Sequence, residues 1–158
     1  MKLFKKVSAM VVSLLMALAM VVPVAAANPT ITVKNIATDE NVTLSYLKVV
    51  KQDKTTKTGW AFVSDEVTKI FKEEYKKNDA QAILASLANS AAHSKALARL
   101  GNLNGFTKFT DNAGRKTEVD GAGLYVVKVV DNSNKYTYNV MAAPINFEYA
   151  NNPATLKN

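Results

Sequence analysis

The spacing of apolar residues changes period twice along this chain, and that change limits the folds open to it. Residues 30–34 (TITVK) and 43–51 (TLSYLKVVK) are rich in β-branched and apolar residues, with a polar, turn-like stretch at 35–41 between them. Both runs are expected to be strands. A Lys/Thr-rich loop at 53–59 closes on Gly59, and 60–63 is expected to form a short strand. The period then becomes helical. Ser64 is a candidate N-cap with Asp65 and Glu66 in the first turn, and Val67, Ile70, Phe71 and Tyr75 recur at helical spacing. Lys76 and Lys77 sit where cations suit a helix C-terminus, and Asn78 or Asp79 is placed to cap a second helix carrying Ile83, Leu84 and Leu87. Residues 91–100 form a further predicted helix, with Leu97 and Leu100 apolar and Gly101 as its stop.

After Gly101 the chain turns β again. Residues 106–109 are expected to pair with 117–119 across a hairpin-like turn at 111–114. The Asp-Gly-Ala-Gly stretch at 120–123 leads into a strong strand at 124–130, and 131–134 is a turn. The last strands are 136–142 and 145–149, kinked at Pro144, and a polar, linker-like tail covers 151–158. Strands, then helices, then strands predict a mainly β antiparallel sandwich with an inserted helical segment at about residues 64–100.

Residues 1–27 have the three parts of a secretory signal peptide. Lys2, Lys5 and Lys6 form a basic start, 7–22 is an uncharged apolar run, and Ala25 and Ala27, in a motif that starts two residues beyond Pro23, frame a cleavage site after Ala27. Removal of the leader would leave one domain at 28–150 plus the tail. Loss of the three leader lysines takes the net charge from +7 to +4. That surface carries no basic stripe interleaved with aromatics, so no nucleic-acid partner is expected. No second long apolar segment follows, so no membrane span is expected after cleavage. The chain has no cysteine. An exported domain of this kind must be held by its core, by partners or by another crosslink.

No catalytic constellation stands out, and the chain is not expected to be an enzyme or to need a cofactor. The single His93, with no cysteine in the chain, cannot build a typical zinc site. The adjacent acid pairs Asp39-Glu40, Asp65-Glu66 and Glu73-Glu74 point in diverging directions, and the stretch at 131–134 has too few carboxylates for a calcium loop. One chemistry suits a cysteine-free β domain outside the cell. A buried lysine of lowered pKa can condense with an asparagine beside a carboxylic acid, forming an isopeptide bond. Lys48 is the leading lysine, because strand alternation places Leu44, Tyr46 and Val50 on its face. Lys34 shares a face with Thr32 instead. Asn139 and Asn146 are candidate partners, and Glu118 or Glu148 a candidate acid, although Asn146 and Glu148 alternate outward from Ile145, Phe147 and Tyr149.

The succession NPTITVKN, TLSYLKVVK, DAQAILASLA, GAGLYVVKVVD and YNVMAAPINFEY resembles the N-terminal domain of sortase-assembled, isopeptide-forming fimbrial major subunits (pilins) of Gram-positive bacteria. The resemblance covers about residues 29–158. It implies an immunoglobulin-like β-sandwich with helical insertions, acting as a building block of an adhesive fibre on the cell wall. It also implies other pilin subunits and a sortase as partners, with a host surface protein or glycan as the adhesion target. In such subunits the first domain often lacks the internal isopeptide bond. No LPxTG-type signal follows and no Tyr-Pro-Lys motif is present, so the chain is expected to be the first piece of a larger subunit. Lys157 lies near the place where a sortase acceptor would stand. The alternative is a free secreted module that binds glycan or protein through exposed Trp60, Tyr136 and Tyr138.

Overall fold

The computed structural model describes residues 3–4, 11–14, 28–87 and 94–147. In chain order the early strands are β1 (Leu3–Phe4), β2 (Val11–Leu14), β3 (Thr30–Val33), β4 (Val42–Gln52) and β5 (Trp60–Phe62). Three helices follow, α1 (Asp65–Tyr75), α2 (Ala80–Leu87) and α3 (Ser94–Leu100). The late strands are β6 (Thr107–Lys108), β7 (Lys116–Glu118), β8 (Gly123–Asp131), β9 (Tyr136–Thr137) and β10 (Met141–Ile145). The chain is mainly β, with antiparallel sheets and a few short helices.

The two longest strands, β4 and β8, each carry four β-branched residues, and they pair antiparallel from Val42 opposite Asp131 to Lys51 opposite Gly123. β10 adds to the far side of β8, while β5 and β6 share the free edge of β4. A second sheet runs β2-β3-β7, and β1 pairs with β9 in parallel. The central sheet buries both faces. One face, with Val49, Leu124 and Val126, meets Val67, Phe71, Ile83, Leu84 and Leu100 of the helices. The other, with Leu44, Tyr125 and Val127, meets Ile31 and Val33 of β3 and Val119 beyond β7.

A bulge between Lys48 and Val50 corrects the expected alternation. Val50 joins Val49 on the helical face, while Leu44 and Tyr46 stay with the other cluster. The extra residue turns the strand over, as bulges do. Three further expectations are corrected. Residues 106–109 and 117–119 do not pair; β6 pairs with β4 and β7 with β3, so the two arms of the turn leave to different sheets. The hairpin-like turn itself closes, at one antiparallel bridge where Asp111 N donates to Lys116 O at 3.1 Å and Lys116 N to Asp111 O at 3.0 Å. Beyond that bridge β4 takes the first arm, with Phe109 N donating to Leu44 O at 2.9 Å and the Asn112 amide bonding both Leu44 N and Val42 O at 2.8 Å. Pro144 does not break the last strand, because it sits within β10 on the sheet edge, where a missing N–H does no harm. The strand ends instead at Asn146 in a left-handed conformation (φ 53°), which places Ile145 and Phe147 on opposite faces of the sheet.

The helices follow their caps. Ser64 Oγ accepts from Val67 N at 3.2 Å, and Lys76 closes α1 in a left-handed turn. Asp79, rather than Asn78, caps α2, accepting from Gln81 N at 3.0 Å. The expected start of α3 at 91 and His93 lie outside the described residues. Gly101 is a close-approach glycine, since a Cβ there would stand 2.6 Å from Val140 Cγ2. Gly123 is tighter still: a Cβ would lie 2.2 Å from Val50 O, across the β4–β8 ladder. Gly123→Ala is therefore expected to destabilise the domain by about 3 kcal/mol in urea unfolding, whereas Gly121→Ala, with no atom near its Cβ position, is expected to cost less.

Candidate functional site

Lys48 stands one residue ahead of the bulge, opposite Tyr125 in the register. Its Nζ donates to the main-chain carbonyl of Asp120 at 2.5 Å and lies 5.5 Å from the centre of the Tyr125 ring. The Tyr125 hydroxyl donates toward the same carbonyl at 2.7 Å and toward that of Gly121 at 2.8 Å. Gly123 makes room for the lysine, because a Cβ there would stand 3.0 Å from Lys48 Cε. Burial pushes the Lys48 amine below its ordinary value, Asp120 opposes that shift, and Lys51 adds to it. Burial, then Asp120 and Tyr46, raise the Tyr125 hydroxyl. The cluster thus holds a half-buried amine of lowered basicity with a carboxylate in its field, the ingredients of an amine nucleophile. Its direct partner, however, is a peptide carbonyl. The contact braces the turn at 120–121 against β4.

The predicted partners are dispersed. Glu118 is exposed on β7, between buried Thr117 and Val119. Asn139 is exposed, two residues before Met141, which pairs with Val127. Asn146 is half-buried and follows Ile145, the partner of Gly123, so topology brings it to the same end of the sheet as Lys48. Lys34 is exposed. Glu148, Lys157 and the cleavage residue Ala27 lie outside the described residues. The acid that sequence reasoning missed is Asp120. Its only local signal was the Asp-Gly turn before the strand.

The aromatics proposed for ligand stacking are mostly enclosed. Trp60 is fully buried, edge-on to Phe147 with ring centres 5.2 Å apart. Tyr138 is buried, and its hydroxyl donates to Glu40 Oε2. Tyr136 is half-buried beside a cleft of about 430 Å³, also lined by Asp39, Glu40, Asp131, Ser133 and Lys135. Asp131 does not present its carboxylate to that cleft as a free ligand. Oδ1 accepts from Ser133 Oγ at 2.6 Å and Ser133 N at 2.9 Å, while Oδ2 accepts from Lys135 N at 2.8 Å and Tyr136 N at 2.7 Å. These bonds, the Ser133 hydroxyl first, hold its pKa down at about 2. Among the described residues no group of three or more His, Cys, Asp or Glu is placed to hold a metal ion, and no helix is long and apolar enough to cross a membrane. No known protein family, no curated protein and no solved structure matches the chain.

Two outcomes are expected. The intact mass should equal the sum of its residues, because Lys48 bonds a main-chain carbonyl; a deficit of about 17 Da, the ammonia lost in Lys–Asn condensation, would refute this and make Asn146 the first partner to mutate. The depressed pKa of Asp131 contributes stability that is present above its unfolded pKa of about 3.9 and is lost as pH falls toward about 2. Asp131→Asn should lower stability at pH 7 and flatten the acid limb of the unfolding profile.

Proposed function

We propose that this chain is an immunoglobulin-like structural domain of a secreted, cell-wall fibre subunit, a pilin whose polymer mediates adhesion. The observation that carries the reading is the β4–β8 ladder. Its nine paired positions span about 30 Å, with an apolar cluster on each face. Such a ladder passes load between its ends through backbone hydrogen bonds, which a fibre subunit requires. Tyr125 supports the immunoglobulin-like assignment. It lies near the start of β8 and its hydroxyl reaches back to carbonyls four and five residues upstream, the arrangement of a tyrosine corner. Enclosure of Trp60 and Tyr138 weighs against the free glycan-binding module, since neither ring is open to stack on a sugar.

In this reading residues 1–27 direct export, a sortase links subunits, and Lys157 lies near the acceptor position. The test is an immunoblot of cell-wall extracts from the producing organism, using serum raised against this domain. A ladder of SDS-resistant species that collapses to one band on sortase deletion is expected. A single monomeric band in the medium of both strains would overturn the fibre and support the free secreted module.

A further inference from the structure

We propose that, once the leader is removed, the outer edge of β3 accepts an extended, uncharged β-strand from a different protein rather than from a second copy of this chain, antiparallel to β3; this rests on the export reading above.

Among the described residues from 28 onward, β3 is paired on one side only, by β7. Val33 N donates to Arg115 O and Val119 N to Pro29 O, each at 2.8 Å. Pro29, Ile31 and Val33 therefore aim their main-chain groups at β7. By alternation Thr30 and Thr32 aim theirs the other way. In the full chain that outer side is taken by β2, whose sequence is Val-Val-Ser-Leu, in register from Leu14 opposite Thr30 to Val11 opposite Val33. β2 also runs alongside β10, the edge strand of the central sheet. Its seat is thus a slot between the edges of two sheets.

All of β2 falls inside the leader's apolar run. Cleavage after Ala27 would vacate the slot and leave the N–H and C=O groups of Thr30 and Thr32 without strand partners. The edge is short, four residues, but carries no other device that discourages pairing: Thr-Ile-Thr-Val has no charge and no proline, and its pairing with β7 has no bulge. Ile31 and Val33 are buried beneath it. The seated strand defines the occupant's chemistry: at least four residues, extended, mostly aliphatic and uncharged. Such addition to a sheet edge is a recurrent mode of peptide recognition.

The test uses the protein secreted into the medium, its N-terminus assigned by mass spectrometry, and a synthetic peptide of residues 9–16 flanked by lysines for solubility. With the N-terminus at Asn28, the peptide should bind and slow amide exchange at Thr30 and Thr32 by about tenfold or more, leaving Ile31 and Val33 unchanged. Thr32→Pro removes an outward N–H while sparing the β7 ladder, and should weaken binding by about tenfold. If that variant fails to fold, the exchange pattern of the unmutated protein decides. An Asn28 terminus without binding, or with Thr30 and Thr32 already protected in a self-associated form, overturns the inference alone. A Met1 terminus overturns the export reading, and with it the inference, since β2 then keeps its seat.

Discussion

The rest of the structure depends on the antiparallel pairing of β4 with β8. These strands come from opposite ends of the domain, and each buries side chains on both faces. Every other described layer attaches to what they form. The helices cover one face, β3 and β7 the other, and β5, β6 and β10 close the flanks. The bulge near Val49 is the key irregularity in that pairing. It turns Val49 and Val50 together toward the helices and leaves Lys48 at the other face, beside Tyr125. Gly123 is required opposite, because the ladder brings the Val50 carbonyl into the space a Cβ would fill.

Without cysteines, the connections are held by polar side chains that bond main-chain groups. Asp131 gathers three N–H groups and a hydroxyl into the turn before β9. The Asn112 amide acts as one more residue of backbone along the edge of β4. Arg115, buried, reaches the carbonyls of Ala37, Glu40 and Asn112 at 2.9–3.0 Å, tying the loop after β3 to the turn before β7. Lys48 and Tyr125 converge on Asp120 in the same way. A buried main-chain N–H or C=O left without a partner costs about 1–3 kcal/mol, so Asp131, Asn112 and Arg115 each fix the path of a segment that has no regular ladder of its own. Arg99, partly exposed and paired with Glu73 and Glu74 at 2.6 and 3.1 Å, contributes little by comparison.

Much of the secondary structure was legible in the sequence. β-branched runs marked β3, β4 and β8, and Ser64 and the apolar spacing marked α1. These signals are local: rotamer restriction, capping and alternation act within a few residues. The candidate site was legible only in part. Lys48 was singled out by the residues on its face, yet Val50, one of those residues, lies on the other side of the sheet. Its true companions, Asp120 and Tyr125, are joined to it by contacts across some 70 residues, which periodicity does not encode.

By itself the sequence determined the order of strands and helices from β3 to β8 and the N-cap of α1, because each follows from the chemistry of neighbouring residues. The tertiary structure decided which edge each arm of the turn at 111–114 would join. It also decided that Pro144 would be tolerated within a strand, and that Trp60 and Tyr138 would be enclosed. The reason is physical. Burial and main-chain pairing between distant segments outweigh local turn preferences, and a glycine, a bulge or a left-handed asparagine redirects a strand where those segments meet.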